Sequence, residues 1–356
     1  MALGHVTAFF LFDVGDSIDL SRVRGQIDTT ATARLAPKPA TPTYLQYNQP
    51  PLTIDGQTIG FTDIDGCRVR FKLFDYGVLS VALTRELPDK WEDLLTLGLE
   101  WQDSPRLAAE AERLCRELLS RVPSAVSRPR ETFLTEDYVV FSILADAGGD
   151  TAEALLASHG AAIAQLLRAE RDVLSAQERE EVLRHRISYY ATDMVIVTWS
   201  SALVYDTPVG LPGVLEILEF ANSQLLEFRY YDQLLDAELT RTYARLQSAS
   251  WRQTWIGGRY ARAARQVHAL FIDVNELTDK AENALKIAGD VYAARLFGMT
   301  AARLGLDQWK ANVREKLKTV DDIYRFAVEH TSMARGEFLE LTVVILILLE
   351  IVLLIH

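Results

Sequence analysis

An apolar run near the C-terminal end restricts this chain more than any other feature. Residues 338–355 read FLELTVVILILLEIVLLI, in which only Glu340, Thr342 and Glu350 are polar. At 1.5 Å per residue, a helix of this length is about 27 Å long, close to the bilayer's hydrocarbon thickness of about 30 Å. We therefore predict a C-terminal membrane anchor helix over residues 338–355. The alternative is that this helix is buried inside a soluble oligomer.

The charges around this run predict how it is oriented. Basic residues precede it and none follows it: Lys310, Arg314, Lys316, Lys318, Arg325 and Arg335. The positive-inside tendency places such residues, and with them the bulk of the chain, in the cytoplasm. A carboxylate at membrane depth costs about 2.5–3.5 kcal/mol on insertion scales, so we expect Glu350 to contact another protein helix inside the membrane.

A change in hydrophobic periodicity near residue 210 divides the rest of the chain. The 356 residues are enough for two domains with separate cores. Before the change, strand-like runs occur in clusters between helical segments, which predicts an α+β fold rather than strict βαβ alternation. Helical periodicity follows Pro208 and Pro212. We predict a mixed α/β domain over residues 1–210 and a helical, coiled-coil-like domain over residues 211–336.

Local patterns predict the individual elements. Strands and strand-like runs are predicted over residues 5–14, 68–74, 78–83, 137–144 and 193–205. Helices are predicted over residues 89–101, 105–121, 151–171, 176–184, 212–248, 259–303 and 307–334. The pairs Asp55–Gly56, Asp65–Gly66 and Tyr76–Gly77 indicate turns, the two Asp-Gly pairs being typical of tight hairpins. The Thr-, Ala- and Pro-rich residues 27–43 predict a long loop.

Composition and motifs argue against several classes of function. Lys and Arg number 37 against 49 Asp and Glu, and the resulting net charge of −12 argues against a surface coated with nucleic acid. Two cysteines and scattered histidines give no metal-ligand spacing, and the common catalytic motifs are absent. We therefore predict no cofactor, no metal, no small-molecule substrate and no enzymatic activity. The alternative is an enzyme with an acidic site at the domain junction, built from Asp193, Asp206, Glu227 and Asp232.

A polar stripe runs along the first helix after residue 210. Asn222, Arg229 and Asp236 are spaced seven residues apart, and Asp232 follows Arg229 by three. Such spacings place side chains on one helix face. We predict that this stripe sets the register of helix packing or of an oligomer interface, with a ligand site as the alternative.

A basic stretch follows the stripe. Residues 241–272 contain six arginines and no acidic residue, and Trp251, Trp255 and Tyr260 lie among the arginines. The candidates for binding phosphate, of RNA or of anionic lipid, are Arg245, Arg252, Arg259, Arg262 and Arg265. The competing interpretation is that these arginines pair with acidic residues of the preceding helix.

Several ordered motifs together resemble a known family. They are the strand pair over residues 71–83, the segments TEDYVVF at 135–141, SYY at 188–190, DMVIVTW at 193–199 and ALVYD at 202–206, the helix segment 221–236, and NVREKL at 312–317 before the apolar tail. This chain resembles the required-for-meiotic-nuclear-division family, in its bacterial branch. The resemblance implies an α+β domain of unassigned biochemical function, a helical region and a C-terminal anchor in the bacterial inner membrane. Mitochondrial members sit at the inner membrane and support organelle translation.

These observations lead to one main functional hypothesis and one rival. The main hypothesis is a membrane-anchored, non-enzymatic scaffold that forms homo-oligomers through its helical half. The rival is a membrane tether for RNA or the ribosome that uses the basic stretch. Loss of RNA retention without loss of membrane attachment, after charge reversal in that stretch, would favour the tether.

Overall fold

The computed structural model describes residues 4–27, 50–61, 66–88, 90–145, 151–248 and 291–323, with single positions at 272, 274, 325, 343, 344 and 347. These residues form ten strands: β1 Gly4–Asp13, β2 Ser17–Ile18, β3 Leu52–Asp55, β4 Arg68–Leu73, β5 Val78–Glu86, β6 Val126–Ser127, β7 Leu134–Leu144, β8 Arg186–Ile187, β9 Met194–Val197 and β10 Ser201–Asp206. The same residues contain eight helices: α1 Leu20–Gln26, α2 Trp91–Trp101, α3 Pro105–Arg121, α4 Ala152–Arg168, α5 Ala176–Arg184, α6 Leu211–Ser248, α7 Val291–Arg303 and α8 306–323. The predicted mixture of helices and strands is confirmed.

The chain divides into two compact units. The first contains Met1–Tyr230 and Asp279–Asp307, and the second contains Tyr231–Thr278 and Gln308–His356. Helix α6 contributes its first part to the first unit and its last part to the second. The predicted boundary at residue 210 stays a prediction.

An eight-stranded sheet organises the first unit, in the order β3-β4-β5-β1-β7-β10-β9-β8. Strand β1 pairs antiparallel with both β5 and β7, and β10 pairs parallel with β7. Nine of the ten β1 residues are buried, so this strand is covered on both faces. That explains why its sequence is apolar almost throughout.

One face of the sheet packs on an apolar core with helices α2–α5. Alternate residues of β1, including Phe10 and Phe12, belong to this core because successive side chains in a strand point to opposite faces. Helix α3 contributes Leu107, Leu114 and Leu118, which recur at helical spacing and are fully or almost fully buried. Full burial of one such side chain contributes about 1.5–3 kcal/mol.

Helix α6 covers the opposite face. Lys72 and Ser80 contact it, and their neighbours in β4 and β5 belong to the core on the other side. Residues 217–228 of α6 are buried all the way round. Phe220 lies beside Phe297 of α7, with ring centroids 5.8 Å apart, so α7 packs against α6, and it also contacts β9.

Most predicted elements match the structure, and two predictions were wrong. Helix α3 has the predicted bounds, and Tyr76–Gly77 forms the β4–β5 hairpin. The run 193–205 is two strands rather than one, because Thr198 and Ser201 close a turn at its centre. Asp55–Gly56 opens a longer connection that includes a 3-10 turn over Gln57–Ile59, instead of a tight hairpin.

Other predictions fall outside the described residues. These include most of the loop 27–43, Asp65, most of the helix 259–303 before α7, and the tail 338–355 apart from Val343, Val344 and Ile347. Those three residues are helical and each about half exposed. Among the described residues, we find no helix with both the length and the apolar character needed to cross a membrane.

Candidate functional site

Helix α6 carries an unusual set of buried polar side chains. Glu219, Asn222, Ser223, Gln224 and Glu227 are each at most 3% exposed. Charged residues are almost never fully buried unless they are paired. The partners of these side chains therefore decide what the α6–sheet interface can do.

Glu219 is the centre of the interface. Its carboxylate lies 2.7 Å from Lys72 Nζ and 3.3 Å from an Arg70 guanidinium nitrogen, and it accepts a 2.7 Å hydrogen bond from Ser80 Oγ. Burial opposes ionisation of Glu219, but the charges of Lys72 and Arg70 outweigh it and hold the pKa below its usual range. Glu219 is thus a buried carboxylate with three donors from two strands.

A second acid lies close to this cluster. Burial raises the pKa of the Glu216 carboxyl. The positive charges of Lys72 and Arg70 oppose this rise, and the negative charge of Glu219 adds to it. The ion pairs of Glu219 with the two cations join α6 to β4, and its hydrogen bond with Ser80 joins α6 to β5, so the cluster fixes the position of α6 along these strands.

Tyr76 forms a second contact, at the tip of the β4–β5 hairpin. Ser223 Oγ donates to the Phe220 carbonyl oxygen at 2.7 Å, so its single proton is used there. The Tyr76 hydroxyl, 2.6 Å away, therefore donates to Ser223. Burial raises the pKa of Tyr76 well above its ordinary value, and the phenol stays neutral.

Two arginines form the third contact, where β1 ends and β7 begins. Arg229 of α6 pairs with Glu136 of β7. Arg130 donates to Asp13 at 2.6 Å, and its guanidinium lies 3.9 Å above the Tyr230 ring. Burial raises the pKa values of Asp13 and Glu136, although the arginines oppose that rise.

The four residues of the predicted stripe do not share one partner. Asn222 Nδ2 donates to the Leu218 carbonyl oxygen at 2.8 Å, and Arg229 pairs with β7 as described. In the second unit, Asp232 and Asp236 each lie 2.7 Å from Lys316 Nζ of α8. The stripe therefore makes one contact with the sheet and one with another helix. Its role in oligomerisation stays a prediction.

The acids proposed for an enzymatic site each interact with other groups of their own unit. Asp193 accepts hydrogen bonds from the backbone nitrogens of Tyr189 and Tyr190 at 2.7 and 2.8 Å. Asp206 accepts a hydrogen bond from the Thr207 nitrogen at 2.6 Å. Burial raises the pKa of Asp206, the hydrogen bond opposes this rise, and the charge of Asp193 adds to it. In the same unit Glu227 acts on the pKa of Tyr76, whereas Asp232 binds Lys316 in the second unit. Within the described residues, no three His, Cys, Asp or Glu side chains are arranged to hold a metal ion.

Two other predicted sites lie largely outside the described residues. Arg245 belongs to the last turns of α6. Arg252, Arg259, Arg262 and Arg265 are not among the residues that the structure describes, and neither is Glu350.

Sequence reasoning missed Lys72 and Arg70. The alternation Arg68-Val-Arg-Phe-Lys predicts a strand with its basic face in water. Lys72 is only 6% exposed, because that face is covered by α6. The sequence feature that could have indicated partners for these cations was the pair of acids Glu216 and Glu219 in a largely apolar helix segment.

Comparison with known proteins identifies a relative from an archaeon. The chain is 27% identical over 191 residues to a protein of Methanocaldococcus jannaschii described as "Uncharacterized protein MJ0711". The match covers 54% of this chain and 58% of that relative, so the chain spans less than two thirds of the relative's length. No solved structure matches the chain.

The family comparison covers the strand-rich part of the chain. Residues 3–210 match the family described as "Uncharacterized protein MJ0711, N-terminal domain". Those residues contain all ten strands that the structure describes and end directly before α6. Neither description mentions meiotic nuclear division, so that resemblance stays a prediction. Since the matched segment is more than half of the chain, this protein belongs to the MJ0711 N-terminal domain family.

Proposed function

We propose that this protein is a non-enzymatic scaffold, anchored in a membrane by residues 338–355, that forms homo-oligomers through its helical half. The observation that carries the proposal is the contact between α6 and the sheet. Lys72, Arg70 and Ser80 hold Glu219, and Glu136 holds Arg229. The family domain and the first half of α6 are therefore joined by charged contacts, as expected of a fixed platform for other components.

The roles of the acidic residues support the non-enzymatic part of the proposal. Asp193 orders a backbone turn, Asp232 pairs with Lys316, and Glu219 is enclosed by its own cations. Each of these three carboxylates is bonded to or paired with groups of the chain itself. A general acid or base must instead reach a substrate proton.

The membrane part of the proposal is supported by the apolar run and its flanking charges. We place the anchor in a bacterial inner membrane, with the bulk of the chain in the cytoplasm, as the positive-inside tendency and the resemblance to the meiotic nuclear division family imply. Glu350 supplies a polar contact between neighbouring anchors, since a carboxylate in hydrocarbon needs a partner.

Oligomerisation in mild detergent tests the proposal. We expect the purified full-length chain to elute as an oligomer, with its mass measured by light scattering. Replacing Glu350 by Leu should shift the protein towards monomer, because the intramembrane contact is lost. The matched control, Glu340→Leu, lies at the start of the run and should leave the oligomer intact. A wild-type protein that is only monomeric would contradict the proposal.

A further inference from the structure

A polar cavity lies at the end of strands β1, β4 and β5, away from the Glu219 cluster. Its volume is about 390 Å³, and its lining consists of His5, Gly66, Arg68, Thr84, Arg85 and Glu86. This volume is in the range of small-molecule sites, about 300–1,000 Å³. Most such sites are apolar, whereas the described residues that line this one include no apolar side chain, so a polar ligand fits it best.

Strand register brings four of these side chains to one face of the sheet. Arg68 is paired with Thr84, and Thr84 with Thr7, across neighbouring strands. His5 is paired with Glu86 one step further along. Alternation places Arg68 on the same face as Arg70 and Lys72.

Arg68 differs from these two cations, because no acidic side chain in the described part of the chain pairs with it. Lys72 and Arg70 both pair with Glu219, as described above. Among the described residues Arg68 has no ion pair, and its side chain is exposed at the cavity. A guanidinium offers several N–H donors in a planar fork that suits phosphate and carboxylate oxygens.

The cavity offers further donors beside Arg68. The hydroxyls of Thr7 and Thr84 lie 3.0 Å apart, and either can be the donor. When Thr7 donates, the Thr84 hydroxyl, which lines the cavity, keeps its own proton for a ligand. Gly66 has a φ of +74°, and no atom outside its neighbours lies within 4 Å of the position that a Cβ would take. A ligand can therefore approach the backbone closely at Gly66.

Glu86 restricts the ligand further. Its carboxylate repels a bare anion but accepts a hydrogen bond from an amine or hydroxyl group. We propose that this cavity binds a small organic phosphate, with Arg68 and a threonine hydroxyl on the phosphate group and Glu86 on a hydroxyl or amine of the same molecule. The site is independent of oligomerisation and of the membrane anchor.

Calorimetric titration of the full-length protein in mild detergent tests this proposal, with AMP and inorganic phosphate as probes. We expect AMP to bind, and Arg68→Gln to weaken its binding at least about tenfold, since a charge-assisted hydrogen bond is lost. Arg179→Gln is the matched control, because Arg179 is an exposed arginine of α5 outside the cavity. An unchanged melting temperature would show that Arg68→Gln is folded.

The variant Glu86→Gln tests the contacts at the two ends of the ligand separately. This variant should bind inorganic phosphate more tightly than the wild type, because a repulsive charge is gone, and should lose part of the preference for AMP over phosphate. The absence of AMP binding at millimolar concentration would overturn the proposal. Equal affinities for Arg68→Gln and Arg179→Gln would overturn it as well.

Discussion

Lys72 and Glu219 form an ion pair with almost no access to water. Their side chains are 7% and 0% exposed. Removing two charges from water costs several kcal/mol each, and their attraction repays this only when the geometry is good and further hydrogen bonds are present. Arg70 and Ser80 supply those additional contacts. The pair is therefore sensitive to the loss of either partner.

The substitution Glu219→Gln should destabilise the protein by about 3–5 kcal/mol, because it leaves Lys72 buried without a counterion. Urea unfolding followed by circular dichroism would measure the change in the free energy of unfolding. The double variant Lys72→Met/Glu219→Leu should recover most of the loss, because it removes both charges and fills the space. A single variant as stable as the wild type would contradict a structural role for the pair.

Acid should weaken this interface in a defined pH range. The pKa of Glu219 is below its ordinary value of 4.5, so the folded protein holds this proton less tightly than the unfolded chain. The stabilisation is complete above pH 4.5 and is lost as the pH falls through the folded-state pKa. We expect the difference in unfolding free energy between wild type and Glu219→Gln to shrink as the pH falls below 4.5 towards the folded-state pKa.

The comparison with Glu219→Gln isolates this effect from other carboxyls. Burial raises the pKa values of Asp13 and Glu136, and these groups become less unfavourable to folding as the pH falls. Both proteins contain these two carboxyls, so their contributions cancel in the difference in unfolding free energy. A difference that stays constant over the same pH range would contradict the assignment to Glu219.

At the scale of elements, the β4–β5 hairpin is held in place at its tip. Gly77 has a φ of +96°, and a Cβ at this position would overlap the carbonyl oxygen of Gly15. The Val14 nitrogen donates to the Gly77 carbonyl oxygen at 3.0 Å, which ties the tip to the end of β1. The hairpin needs glycine here both for its backbone conformation and for close approach.

The substitution Gly77→Ala should therefore cost at least about 2 kcal/mol, from the left-handed conformation and the clash together. Gly60→Ala is the matched control, with a similar φ of +80° but open space at the Cβ position. It should cost about 1 kcal/mol, from the backbone alone. Thermal unfolding of both variants would measure the difference, and equal melting temperatures would contradict the proposed clash.

The sequence predicts elements well where the signal is local. Pro105 and the helical spacing of its leucines define α3, and both are visible within 17 residues. The β9–β10 turn has no Gly, Asn or Asp, because Thr198 uses its side chain to close it, so the run 193–205 looks continuous. The burial of Lys72 depends on a helix about 150 positions later in the chain, and no local pattern contains that information.

At the scale of the whole molecule, the proposed membrane anchor makes a prediction about attachment. The apolar run 338–355 is the basis for the proposed anchor, and Gly336 lies just before it. The family domain, residues 3–210, lies far from this point in sequence. Removing the run should therefore affect attachment and leave the domain intact.

Membrane fractionation of the full-length chain and of a truncation ending at Gly336 tests this directly. We expect the full-length protein to stay in the membrane pellet after washes with high salt and with carbonate, because an integral helix resists both. The truncation should remain in the supernatant. Release of the full-length chain by carbonate would favour burial of the run inside an oligomer.

The position of α6 after the last strand also determines when this domain can be completed during synthesis. The ribosome delivers Arg70 before Glu219, with 149 positions between them. At 5–20 residues per second this separation corresponds to a delay on the order of ten seconds. Helices α2–α5, which cover the other face of the sheet, are delivered within that interval, so the face that carries Arg70 and Lys72 is covered after them. Until α6 arrives, these two cations have no Glu219 to pair with and remain hydrated. Burial of the two cations therefore waits for the arrival of Glu219, and α7 is delivered after it.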